Sequence, residues 1–268
     1  MTTHVATVHW RDDRWIDVQL RYLEQHLPQP FEVYAFLNHL ETDHSDRFFY
    51  SSDERIREHS TKLNLLADLI AFNADSDDDR ILFIDGDAFP IASLQPLIDD
   101  LAEHPLIAVK REEAQDVQPH PCFCLTTVGF WRSLGGDWRK GGHSWTNEAG
   151  REVSDVGARV LKAVDEQNVN WRPLLRSNKQ NPHPLFFGVY DDVVYHHGAG
   201  FREARGGRKV IAESGAYEAE KTLRYRALMA LPRNKWTRKF IRRIRVLRHS
   251  LPPPQSPVVP PGCAVGLH

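Results

Sequence analysis

Two carboxylates one residue apart, Asp85 and Asp87, are the residues whose type and spacing most directly point to chemistry. They lie in "ILFIDGDAFP" (81–90), where four apolar residues run into Asp85-Gly86-Asp87 before Pro90. On an extended strand, side chains two apart share a face, so both carboxylates are expected to point the same way. Held together, two anions repel unless a cation shares them. Hard divalent cations, Mg²⁺ or Mn²⁺, take such oxygen ligands and complete their shell with phosphate oxygens. The pattern therefore reads as a metal–diphosphate site. The plainer alternative is a turn in which Asp85 caps a loop and Asp87 is solvated.

The elements that must position this pair follow from periodicity. "HVATVHW" (4–10) reads as a strand, 12–27 as an amphipathic helix ended by Pro28 and Pro30, and "FEVYAFLN" (31–38) as a second strand. This is a β-α-β unit, which implies parallel strands and a right-handed crossover. A helix at 60–74 leads through the polar "DSDDD" into "RILFID", apolar throughout as a central parallel strand should be. A helix over "ASLQPLIDDLAEH", a strand "LIAVKR", a strand running into a short helix in "CFCLTTVGFW", a helix at 154–167 and a strand-like 186–202 complete the pattern. The expected fold class is α/β, with a Rossmann-like, mostly parallel central sheet flanked by helices. Open sheets of this kind bind ligands beyond the carboxyl ends of their strands, which is where Asp85 and Asp87 fall. The ends of the first two strands, His9-Trp10 and Asn38, border the same region by position.

The run "LNLLADLIAFNADSDDDRILFIDGDAFPI" resembles the approach to the D-x-D motif of GT-A type, nucleotide-sugar-dependent glycosyltransferases. "TTVGFWRSLGGDW" is similar to the segment that follows in that family, and "SDVGARVLKAV" to its acceptor-side helix. The resemblance spans 4–205 loosely and is specific only around the D-x-D. It implies that Asp87 ligates Mn²⁺ or Mg²⁺, and that Asp85 contacts the metal, its water or the ribose. It also implies a third ligand from late in the chain, often a histidine. "VYHHGAGFR" supplies His196 and His197; neighbours on a strand face opposite ways, so one of them ligates, and His197, beside Gly198, is expected. His9, Trp10, Asn38, Lys62 and Arg202 would then bind the nucleotide donor, with Arg205 and Arg208 near Arg202. Asp155 would be the catalytic base, although this chain has Ser154-Asp155 where related inverting families carry an acidic pair. Trp138, His143 and Trp145 form a candidate acceptor platform, with core packing as the alternative.

Composition is that of an ordinary soluble enzyme, 41% hydrophobic and 26% charged over 268 residues. Three cysteines without a second C-x-C pair read as buried thiols rather than a disulfide framework or structural zinc site. No secretory signal or spanning segment is read from the chain, and a cytoplasmic location is expected. A net charge of −2 conceals eight Lys or Arg between Arg233 and Arg248, leaving −10 on the rest. As a helix, 233–250 would align Trp236, Phe240, Ile241, Ile244 and Leu247. This is the composition of a peripheral element at an anionic membrane surface, which suits a lipid-linked or glycan acceptor. An acidic body argues against nucleic acid. The expected organisation is a catalytic domain at 1–232, the basic helix at 233–250 and a Pro-rich, disordered tail at 251–268. Two other functions fit parts of the pattern. One is a haloacid-dehalogenase-like phosphatase, from which Phe89-Pro90 departs; the other is a non-catalytic nucleotide-sugar or carbohydrate-binding module.

Overall fold

The computed structural model describes residues 1–112, 116–146, 150–178 and 188–197. Arg202, the helix expected at 211–230, the basic segment, the Pro-rich tail and the boundary at 232 lie outside the described residues.

Within them the chain runs β1 (Thr3–Trp10), α1 (Arg14–His26), β2 (Phe31–Asn38), β3 (Tyr50–Ser52), α2 (His59–Asn73), β4 (Arg80–Asp85), β5 (Ala88–Pro90), α3 (Gln95–Asp100) and β6 (Leu106–Val109). It continues through β7 (His120–Thr127), α4 (Val128–Leu134), β8 (Trp145–Thr146), β9 (Glu152–Val153), α5 (Ala158–Glu166), β10 (Arg172–Leu174), β11 (Gly188–Tyr190) and β12 (Val194–His196). Seven strands form one sheet in the order β10-β6-β7-β4-β1-β2-β3. Its ladders are parallel except where β7 runs against both β4 and β6. β5, β12 and β11 make a separate three-stranded sheet, and β8 pairs with β9.

Side-chain alternation along the strands sorts the core into two halves. Val5, Val33, Ala35, Leu82 and Ile84 face Ile16 and Leu23 of α1 and Leu97 and Ile98 of α3. Ala6, Val8, Tyr34, Phe36, Ile81 and Phe83 face Leu63, Leu66 and Ile70 of α2, with α4 and α5 beside them. Both faces are covered, so β4 can be apolar at every interior position, and it is. Each such side chain taken fully from water contributes about 1.5–3 kcal/mol.

Three elements depart from the periodicity. α3 is six residues long rather than thirteen, opening with Gln95-Pro96 and giving way to turns after Asp100. α5 begins at Ala158 because Gly157, at φ +90°, breaks the helical path that 154–167 had implied. The described part of 186–202 is a hairpin, not one strand, with Asp191 and Asp192 at φ +48° and +55° between β11 and β12.

Candidate functional site

After β1 the chain passes to β2 on one side of it, and after β3 it returns to β4 on the other. The crevice beyond the ends of β1 and β4 is therefore the switch point of the sheet, where open α/β folds take ligands. The register sets Val8 against Asp85 and Trp10 against Asn38, so Asp85, Trp10 and Asn38 share one edge.

Asp85 ends β4, and Gly86-Asp87 turn the chain out of the large sheet into β5. The two carboxylates are thus brought together by a turn between sheets, not by period-two alternation along one strand. Gly86 is required by proximity: a Cβ there would lie 2.6 Å from Val8 O and 2.8 Å from His9 Nδ1. Gln19, fully buried on α1, holds the turn from beneath. Its Nε2 donates to the Asp85 carbonyl at 2.8 Å and the Ala88 carbonyl at 2.7 Å, while its Oε1 accepts from Thr7 Oγ1 at 3.0 Å. On the far side His196 pairs with Ala88, and the His197 N–H donates to the Asp87 carbonyl at 3.0 Å.

Donor atoms of Asp85, Asp87 and His196 all lie within 4.8 Å of one another. His196 Nε2 is 3.4 Å from Asp85 Oδ2 and 3.5 Å from Asp87 Oδ1. His59, the first residue of α2, brings its Nε2 to 3.1 Å from Asp85 Oδ1. Burial works against charge on Asp85, but the close approach of the His196 and His59 imidazoles overcomes it and holds the carboxyl well below the usual range. Burial likewise opposes charge on His196, yet the Cys122 thiol and the two carboxylates hold its pKa well above that of an ordinary histidine. Protonated His196 thus supplies positive charge beside the two carboxylates, a role a divalent cation would take over on binding the neutral ring. Two carboxylates and one imidazole whose donor atoms converge are a donor set that Mn²⁺ or Mg²⁺ fits.

The histidine that faces the acidic pair is His196, not His197. The one-residue register of β12 turns His197 to the other side, where its Nδ1 lies 2.8 Å from the Tyr195 hydroxyl and its ring 4.6 Å from that of Trp15. Phe89 joins this aromatic group, packing on Tyr22, Tyr195 and Trp15.

The other residues of the strand edge divide between the two faces of the sheet. Trp10 lies on the α2 side, with Lys62 Nζ 4.4 Å from its ring centroid. Lys62 is 2% exposed and has no carboxylate partner among the described residues; burial pushes its ammonium down to about 8. His9 points to the α1 side and is 1% exposed beneath the turn, so it does not line the crevice with Trp10. Its burial lowers its pKa to about 4, which leaves a neutral ring. Asn38 is buried and donates both amide protons to the loop after β3, at 3.1 Å to the Asp53 carbonyl and 3.0 Å to that of Glu54. It shapes the rim of the crevice with that loop.

On the expected acceptor side, Trp138 is a correction. It is fully buried, stacked on Trp131 at 5.3 Å and edge-on to Phe83 at 5.1 Å, so its face is closed to any sugar. His143 and Trp145 are half-buried. Ser154 Oγ ties their segment down, donating to the His143 carbonyl at 2.8 Å and accepting from the Gly141 N–H at 2.9 Å. Asp155 is exposed and precedes α5 rather than opening it; its Oδ1 accepts from the Val156 N–H at 2.8 Å. The segment reaches towards the acidic pair through Gln118, which donates to the Val156 carbonyl at 3.4 Å, and then His120, whose ring lies 6.2 Å from that of His196.

His59, His120 and Gln19 went unread in the sequence, and Cys122 was read only as a buried thiol, which it is. Only His59 carried a signal, as the residue three before Lys62 and hence on the same helix face.

No family model matches the chain, and no curated protein matches it. Among solved structures it is similar to S. aureus TarS 1-349 in complex with UDP-GlcNAc, at 13% identity and a TM-score of 0.44, over 67% of this chain and 57% of that one. It is also similar to the apo-form glycosyltransferase GlyE of Streptococcus pneumoniae TIGR4, at 14% identity and 0.39, covering 65% and 45%. A third is the mannosyltransferase PcManGT of Pyrobaculum calidifontis with GDP-Man and Mn²⁺, at 12% and 0.35, covering 51% and 47%. The chain thus spans about half the length of these structures.

Proposed function

We propose that this protein is a metal-dependent glycosyltransferase that moves a sugar from a nucleoside-diphosphate donor to a glycan or lipid-linked acceptor. The observation that carries the reading is the convergence of Asp85, Asp87 and His196 at the switch point of a mostly parallel sheet. A cation held by these three residues would neutralise negative charge on the departing diphosphate. Lys62, without a carboxylate partner among the described residues and set over Trp10 one helical turn from His59, supplies a second positive charge for the same phosphates. Trp10 and the loop held by Asn38 border the nucleoside. Gln19 and Gly86 fix the turn, so little reorganisation is needed when the donor binds. Asp155 is the candidate base for the acceptor hydroxyl, with His143 and Trp145 bordering the acceptor. Arg202 and an anionic membrane surface at 233–248 remain part of the proposal from sequence. Among the described residues no helix is long and apolar enough to cross a membrane.

The test is a thermal-shift screen of nucleotide sugars with and without Mn²⁺, repeated on Asp87→Ala. A metal-dependent stabilisation by one nucleotide class, lost in the variant, is expected. No shift across the panel would overturn the assignment.

A further inference from the structure

We propose that His59 is a positioning residue for the Asp85 carboxylate and thereby sets the affinity of the site for its divalent cation. This rests on the reading of Asp85, Asp87 and His196 as cation ligands. The two oxygens of Asp85 have different neighbours. Oδ2 looks towards His196 Nε2, which is also 3.5 Å from Asp87 Oδ1, so this oxygen belongs to the ligand cluster. Oδ1 is shut off from solvent and has His59 Nε2 at 3.1 Å. His59 falls outside the set of donor atoms that lie within 4.8 Å of one another, and it meets the oxygen of Asp85 other than the one facing His196.

A carboxylate left free to rotate could offer either oxygen, or both, to an ion. The His59 imidazole, 3.1 Å from Oδ1, crowds and polarises that oxygen, restricts the rotation and leaves Oδ2 towards the cation beside Asp87. Groups that orient a ligand in this way commonly govern metal affinity as well as geometry. α2 can hold His59 firmly because Leu63, Leu66 and Ile70 of the same helix are buried against the sheet. The imidazole itself is about a third exposed, at 36%, so its replacement leaves the core untouched.

The experiment is calorimetric titration of the full chain with Mn²⁺ alone, using wild type, His59→Ala, His59→Gln and Asp87→Ala. Visible absorption of the Co²⁺-substituted proteins is recorded alongside. His59→Ala is expected to bind Mn²⁺ about 10- to 100-fold more weakly, with an altered Co²⁺ spectrum and an unchanged metal-free melting temperature. His59→Gln, which keeps an N–H donor of similar reach, should recover most of both signals. Wild-type affinity in His59→Ala would overturn the proposal, as would a His59→Gln variant no better than His59→Ala. If Asp87→Ala loses Mn²⁺ while His59→Ala keeps it, the cation site stands and the role of His59 falls. If the folded wild-type protein takes no Mn²⁺, both fall.

Discussion

Replacing Gln19 by Leu should loosen the acidic turn from a distance and destabilise the fold by about 2–4 kcal/mol. Leu matches Gln in bulk but cannot donate, so the Asp85 and Ala88 carbonyls, at 2.8 and 2.7 Å from Nε2, each lose that hydrogen bond in a buried setting. Thr7 Oγ1 also loses its acceptor. A buried polar group left unmatched costs about 1–3 kcal/mol; carbonyls sit at the lower end because a second lone pair can stay engaged. The corresponding drop in melting temperature is roughly 5–15 °C for a body of this size. Chemical denaturation and Mn²⁺ titration check both consequences. Gln19→Glu separates the hydrogen-bond argument from simple packing. A carboxylate facing two carbonyls must be protonated to donate, so its pKa in the folded state lies above its unfolded value. Its stability contribution is then present in acid and lost as pH rises, making Gln19→Glu relatively worse at pH ~8 than at pH ~5. A Gln19→Leu variant within about 1 kcal/mol of wild type, or a Gln19→Glu variant without that pH trend, would refute the reasoning.

His9 and Lys62 allow two further tests. Because the His9 pKa falls from 6.5 to about 4 on folding, the unfolded chain takes up a proton that the folded one refuses as pH drops through this window. Stability is therefore lost on going from pH 6.5 to 4, by about 3 kcal/mol from this residue, and His9→Gln should flatten the curve there in denaturation experiments. Lys62→Met should stabilise the ligand-free protein by removing a buried ammonium, yet weaken binding of nucleoside diphosphates by calorimetry. The stability gap should narrow as pH rises from about 8 towards 10.5, where the unfolded chain still holds the proton that folded Lys62 releases.

What was legible in the sequence was whatever local pattern controls. β2 spans 31–38 as the alternation implies, and α2 and β4 lie within a residue of their expected limits. Boundaries failed where a single backbone conformation overrides periodicity, as at Gly157 before α5 and at Asp191-Asp192 inside the β11–β12 hairpin. Aromatic side chains were the least legible, since Trp138 in a Gly-rich stretch reads equally as a platform or as core. Its place against Trp131 and Phe83 depends on α4, the following loop and β4 packing together.

By itself the sequence determined that a buried parallel strand delivers Asp85 and Asp87 to a carboxyl edge, because a run of apolar residues must be covered on both faces and must end where charge begins. It could also say that only one of His196 and His197 faces any given side. Tertiary structure alone decided which one, because that depends on how β12 registers against β5, more than a hundred residues earlier in the chain. The same holds for His59, Gln19 and Gly86, whose roles arise from approach between segments rather than from spacing along one. Residue type and local period travel with the chain, whereas the partner of a buried polar atom is chosen only when separate elements dock.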